Sequence, residues 1–369
     1  MSEDTFDPKD FILDDKELIN EFKKEKNIDS EWVKVFAYTL LKSKFLLDNY
    51  IVHHSSEDET VESNPWQLQT YYKGEKKYLK NLCKEEDIQD KLVQLLSMFE
   101  VSFTAKQRKN YLFYCLYYLN TNDFKDTTKY AAFVENLANT YFDKVYLCQE
   151  LLNDINTPRP GSFDQKILNG KELEVSLKPF EKSRNDFITV YGNGETKTKG
   201  IPLFIFNYMD FKIWKLYAGI LRGEKFKPGD SERDIFFTKT LGCSDFGQKI
   251  FDDFYFSRTR RSLEHYFPQA NINKYEGAPN ESQINCFGNF AMISAQANSA
   301  GSNWDPVSKL QHYKKDMSGK INRISVASLK FWIMMQICND NKDTKPGHEW
   351  EYNEIKNHQE KMLDILFES

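Results

Sequence analysis

At 369 residues, with 40% hydrophobic and 28% charged side chains, the chain has the composition of a soluble globular protein with core enough for two domains or one large one. A net charge of -5 excludes nucleic-acid binding by overall charge, so such binding must come from a local basic face. No apolar run is long enough for a membrane span, the start MSEDTFDPKD does not read as a signal peptide, and the six cysteines are scattered without metal-ligand spacing, so a cytoplasmic protein with reduced, buried thiols is expected.

Residues 1 to 16 are acidic and polar and read as a tail or docking strand. Ser30 is placed to cap a long helix reaching Tyr50, with Val33, Phe36, Leu40, Leu41 and Leu47 on its apolar side. The segment from His53 to Trp66 is a polar loop; adjacent histidines in an acidic loop are ordinarily solvated, and no metal is assigned to His53 and His54. Ile88, Leu92, Leu95, Leu96 and Phe99 form an apolar stripe at helical spacing. Thr104 then opens an aromatic helix in which Tyr111, Phe113, Tyr114, Tyr117 and Tyr118 cover more than one face. A base-stacking platform or partner surface would use such rings, but burial within a bundle is the preferred reading. Asp126 caps a further helix carrying Tyr130, Phe133, Val134, Leu137 and Tyr141. Two prolines and two glycines then break the periodicity over residues 155 to 170. The expected organisation is a helical region over 1–160, for linkage or docking, and a second domain over 161–369.

In the second half, DFITVYGNGETKTKG reads as a strand and a turn, and its GNG lacks the Lys-Ser/Thr of a phosphate loop. The run from Ile201 reads as a buried helix. Arg258, Arg260 and Arg261 then precede, and Lys309, Lys314 and Lys315 follow, the stretch that carries most of the chemistry. Basic flanks of this kind supply phosphate contacts to DNA. ISVASLKFWIMMQICND reads as a core helix and EWEYNEIKNHQEKMLDILFE as a C-terminal amphipathic helix. His312, His348 and His358 have no carboxylate or histidine at i+4 and receive no catalytic role.

Between Ser262 and Lys315 an ordered set of residues stands out: Glu264-His265, a stop at Pro268, Gly288-Asn289, a short apolar run, and Asn298 among small residues that can start a helix. A carboxylate, a histidine and two amides on a strand, a loop and a helix start can form a one-metal phosphodiesterase site. Histidine is the side chain whose pKa suits deprotonating water near neutral pH. A hard divalent cation takes oxygen ligands and keeps several waters, so a carboxylate and an amide oxygen suffice. In a strand Glu264 and His265 point to opposite faces, so one can hold metal while the other faces substrate.

At these residues the chain resembles the HNH-type (His-Me finger, ββα-metal) nuclease domain at the C-terminus of GmrSD-type restriction enzymes. EHxxPQ, GNxxxxS, NS and SN, then a lysine-bearing helix, carry the likeness, with Gln269, Ser299 and Asn303 also matching. The resemblance implies His265 as general base, Asn289 as its orienting residue, and Glu264 with Asn298 as ligands of Mg²⁺ or Mn²⁺. Phe290 stands where leucine is usual and Asn298 where many relatives carry histidine; no CxxC zinc knuckle is present. The stretches KSKFLLDNYIVH and SNPWQLQ also resemble the region joining the two catalytic halves of fused relatives, whose nucleotide-hydrolysing half is not matched here.

The expected fold is mostly α, a helical N-terminal region followed by an α+β domain holding the ββα core. The expected function is a metal-dependent DNA endonuclease of restriction or anti-phage defence, with a nucleotide-hydrolysing subunit or a second copy as partner and no membrane. Two alternatives stay open: a non-catalytic nucleic-acid-binding or regulatory subunit keeping the ββα fold, and a helical protein-interaction scaffold.

Overall fold

A computed structural model describes residues 16, 18–55, 64–73, 77–103, 109–148, 179–194, 200–220, 231–301, 303–316 and 327–368. It is mostly helical with a few short strands and divides into two compact units, Met1–Ser55 with Trp66–Pro179, and Ser56–Pro65 with Phe180–Ser369. The boundary expected near 155–170 and the helix start at Thr104 lie outside the described residues. Among the described residues no helix is long and apolar enough to cross a membrane.

The first unit contains α1 (Leu18–Lys23), α2 (Ser30–Tyr50), α3 (Glu86–Ser102), α4 (Asn110–Thr121) and α5 (Thr127–Thr140). Two small antiparallel pairs join them: β1 (His53–His54) with β2 (Trp66–Gln67), and β3 (Gln69–Lys73) with β4 (Lys77–Asn81). Asp126 caps α5 as expected, its carboxylate accepting from Lys129 N at 3.0 Å. The cap of α2 is Asp29, one residue earlier than expected, through Trp32 N at 2.7 Å. The expected apolar side of α2 is not a buried stripe: Val33, Phe36, Leu40 and Leu41 are exposed, and burial begins at Leu46. On α4 the bundle reading holds for Tyr111, Tyr114 and Tyr118, while Phe113 and Tyr117 face outward. Tyr111 stacks on Phe99 at 5.0 Å and Tyr118 on Phe133 at 4.2 Å, which locks α4 against α3 and α5.

The second unit begins with α6 (Arg184–Tyr191), where a strand was expected. The β-branched run Ile188-Thr189-Val190 favours a strand, but a capping box between Ser183 and Asp186 nucleates a helix and Phe187, Val190 and Tyr191 bury at helical spacing. Helix α7 (Leu203–Ile220) is the buried helix expected from its apolar run. Short helices α8 (Ser231–Asp234) and α9 (Lys249–Asp252) lead to a hairpin of β5 (Arg260–His265) and β6 (Phe290–Ser294), with α10 (Glu281–Ile284) in the connection. Helices α11 (Ala295–Gly301), α12 (Pro306–Asp316), α13 (Leu329–Asn341) and α14 (Tyr352–Phe367) complete the unit.

In the hairpin Glu264 pairs with Ala291 and His265 with Phe290. A bulge between Arg260 and Ser262 ends the regular ladder. Ser294 closes β6 and caps α11, its hydroxyl accepting from Ala297 N at 3.2 Å, so strand passes into helix without a loop. Tyr266, Ile293, Tyr313, Phe331 and Trp350 share the core that holds α12 and α13 to the hairpin.

Gly288 lies where α14 comes closest: a Cβ there would stand 2.2 Å from Ile355 O and 2.9 Å from Gln359 Cβ. Gly288→Ala must push α14 off the turn before β6, at a cost of about 1–3 kcal/mol or more. Thermal melting tests this, and a midpoint equal to that of the parent chain would contradict so close an approach.

Candidate active site

Strand alternation sends Glu264 inward and leaves His265 half-buried on the opposite face. Nε2 of His265 is 2.7 Å from Asn285 Oδ1, and the ring meets the Phe290 ring edge-on with centroids 4.6 Å apart. With the amide oxygen as acceptor, Nε2 carries the proton and Nδ1 keeps its lone pair. Burial pulls the imidazole below its ordinary pKa, the Asn285 bond works in the other direction, and the Lys309 charge lowers it further. The ring is therefore neutral near pH 7, the state a proton acceptor needs.

Asn289, expected to orient the imidazole, holds the backbone beside it instead. Its Oδ1 accepts from Phe267 N at 2.8 Å and from Trp350 Nε1 at 3.0 Å, and its Nδ2 donates to Phe267 O and Ile284 O, both at 3.0 Å. Its own carbonyl accepts from Tyr266 N at 3.0 Å. The ring contact belongs to Asn285, four residues earlier, at the C-cap of α10. Nothing in the sequence marked Asn285, because its role depends on how the connection between the strands folds back.

Glu264 is paired with Lys309 in the interior. Nζ of Lys309 lies 2.5 Å from Glu264 Oε1 and also donates to His265 O at 2.5 Å and Tyr266 O at 3.1 Å. Three N–H groups thus meet three acceptors. Burial pushes the carboxyl up and the ammonium down, each opposed by the partner's charge; the full set of acceptors favours the ionised pair.

This corrects two of the expected DNA contacts. Lys309 is fully buried and cannot reach a phosphate. Arg260 is buried as well, donating to Ala327 O at 3.0 Å and to Tyr255 O, with its guanidinium 4.9 Å over the Phe254 ring. Burial alternates along β5, with Arg260 and Glu264 buried and Arg261 and Leu263 exposed, while Arg258 lies exposed before the strand. Lys314 and Lys315 lie on α12, and their side chains are outside the described residues.

Asn298 sits half-buried on α11, which packs against both strands, and its amide has no hydrogen-bond partner among the described residues. Gln269 starts a short 3₁₀ turn after Pro268, while Ser299 bonds back to Ala295 O at 2.9 Å and Asn303 is exposed. Among the described residues no group of three or more His, Cys, Asp or Glu side chains converges as a metal cage.

Behind the hairpin a second buried lysine supports the same turn. Lys330 donates to Phe287 O at 2.8 Å and Phe290 O at 2.7 Å, bracketing Gly288-Asn289, and Gln359 Oε1 accepts from Gly288 N at 3.0 Å. Burial draws Lys330 down to about 7 and raises Asp210, which accepts from Lys330 N at 3.0 Å, to about 6. His358, buried with no partner for either ring nitrogen among the described residues, is held well below the usual histidine range by burial and the Lys330 charge.

Fold and site together define a mostly helical unit in which a two-stranded hairpin passes straight into a helix and carries a half-buried, neutral histidine. Residues 219–365 match the family model of the GmrSD restriction endonucleases, C-terminal domain. This is a restriction-type nuclease family, and the matched segment contains the whole hairpin with Glu264, His265, Asn285, Asn289, Asn298 and Lys309. No curated protein and no solved structure matches the chain.

The two asparagines separate by experiment. Asn289→Ala leaves three backbone groups and the Trp350 indole without the partner they have in Asn289 and should destabilise by about 3 kcal/mol or more, each orphaned buried group costing roughly 1–3 kcal/mol. Asn285→Ala, at a half-buried site beside the His265 ring, should cost about 1 kcal/mol. Denaturant unfolding of both variants checks this; equal destabilisation would deny Asn289 its stapling role.

Proposed function

We propose that the hairpin is the core of an HNH-type nuclease that hydrolyses DNA phosphodiester bonds in restriction of foreign DNA. The observation that carries this reading is the neutral His265, held at Nε2 by Asn285 and with no partner for Nδ1 among the described residues, on a hairpin that feeds directly into α11 within the segment that matches the GmrSD C-terminal family model. His265 Nδ1 takes a proton from water, the water oxygen forms the new bond to phosphorus, and the bond from phosphorus to the leaving oxygen breaks. Asn285 fixes the tautomer that leaves Nδ1 free, and Asn289 keeps the backbone after His265 from shifting. Arg258 and Arg261 are exposed at the start of β5, where they can meet phosphates.

The donor set fits a hard divalent cation. Glu264 Oε2 and Asn298 Oδ1 are oxygen donors without hydrogen-bond partners among the described residues, on elements packed together, and such ions keep several waters. Mg²⁺ or Mn²⁺ held there would neutralise charge on the phosphate and the leaving oxygen.

A plasmid-nicking assay in Mg²⁺ or Mn²⁺ tests the reading. The parent chain should cut and His265→Ala should not, while still folding and binding DNA. The rate should hold from neutral pH downward and fall only as pH drops through a His265 pKa below the ordinary ~6.5, because the base works deprotonated. Cutting by His265→Ala at the parental rate would sink the assignment.

For the basic flank, Arg258→Ala with Arg261→Ala should flatten the log-log salt dependence of DNA binding by roughly one unit for each phosphate no longer neutralised. An unchanged slope would remove both arginines from the DNA-binding surface.

A further inference from the structure

We propose that Lys309 is the resident counter-cation of Glu264, and that a divalent metal ion entering the site must share this carboxylate with it. The proposal deepens the nuclease reading above and rests on it. The side chain of Lys309 is completely buried and that of Glu264 nearly so, at 0% and 6% exposure, so this is an interior ion pair and not a surface one. Lys309 is anchored independently of Glu264 by the carbonyls of His265 and Tyr266, and by its position one turn into α12. It therefore stays in place when the carboxylate takes a second cation. The contact to Glu264 is made at Oε1, 2.5 Å from Nζ, and no hydrogen bond to Oε2 is found among the described residues.

Two consequences follow from the charges. Lys309 holds Glu264 in its inward position before any metal arrives, which removes the ordering cost of that ligand. Its positive charge, next to the shared carboxylate in a desolvated setting, also repels a divalent cation and keeps the free protein's metal affinity low. The lysine that sequence position assigned to the DNA surface acts instead on the metal ligand.

Manganese titration by calorimetry, combined with thermal melting, tests this on the full chain. Lys309→Met removes the charge and keeps the length of the side chain. It should melt lower than the parent without metal, because a buried carboxylate is left uncompensated. It should bind Mn²⁺ on the order of tenfold more tightly or better, and its melting point should rise with Mn²⁺ by more than the parent's. Glu264→Gln combined with Lys309→Met should lose that gain. If Lys309→Met folds only in Mn²⁺, the rescue itself supports the proposal, and failure of Mn²⁺ to restore folding overturns it. A folded Lys309→Met with parental Mn²⁺ affinity overturns it while leaving the nuclease reading intact. If neither the parent nor Lys309→Met binds Mn²⁺, the metal assignment falls and this proposal falls with it.

Discussion

The amide of Asn289 is the constraint on which the site depends. Its two hydrogen-bond donors and two lone pairs are all taken up, by both backbone groups of Phe267, by Ile284 O and by Trp350 Nε1. Those partners come from the exit of β5, the end of α10 and the residue that leads into α14. One side chain therefore fixes the connection between the strands, the start of β6 and the approach of the last helix. Gly288 permits that approach, because any larger residue would meet the backbone of Ile355. Lys330 and Gln359 occupy the remaining polar groups of the same turn, so little of its backbone is left to rearrange.

On that frame a period of two separates the chemistry. Glu264 points into the protein, where burial pushes its pKa up and the Lys309 charge opposes that rise. His265 points the other way, against Phe290 and Asn285, where partial burial keeps it neutral. Two adjacent residues thus sit in opposite settings, a charged carboxylate inside and a neutral, half-buried imidazole on the other face. The two interior lysines serve different ends: Lys309 neutralises a carboxylate, while Lys330 donates to carbonyls and loses much of its own basicity to burial.

Local signals in the sequence were legible wherever the deciding contact was also local. The Asp126 cap, the apolar run of α7 and the C-terminal amphipathic helix all follow from spacing within one element. The order Glu264-His265, Gly288-Asn289, Asn298 likewise exposed the hairpin and its helix. Misreadings came where tertiary packing overrode the pattern. The strand propensity around Ile188 yielded to a capping box and a helical burial stripe, and the apolar positions on the first turns of α2 found no core. Arg260 and Lys309 sat in basic stretches that read as a DNA surface, yet buried carbonyls hold the one and a buried carboxylate the other in the interior. Asn285 carried no mark because its partner lies twenty residues away across a connection whose path the sequence does not reveal.

The protonation state of His265 joins these points, since it depends on burial, on Asn285 and on the frame behind them. It is read most directly from a long-range proton–nitrogen correlation spectrum of the full chain at neutral pH. The predicted result is a neutral His265 ring with its proton on Nε2 and a lone pair on Nδ1. A ring protonated on both nitrogens, or one carrying its only proton on Nδ1, would contradict the site described.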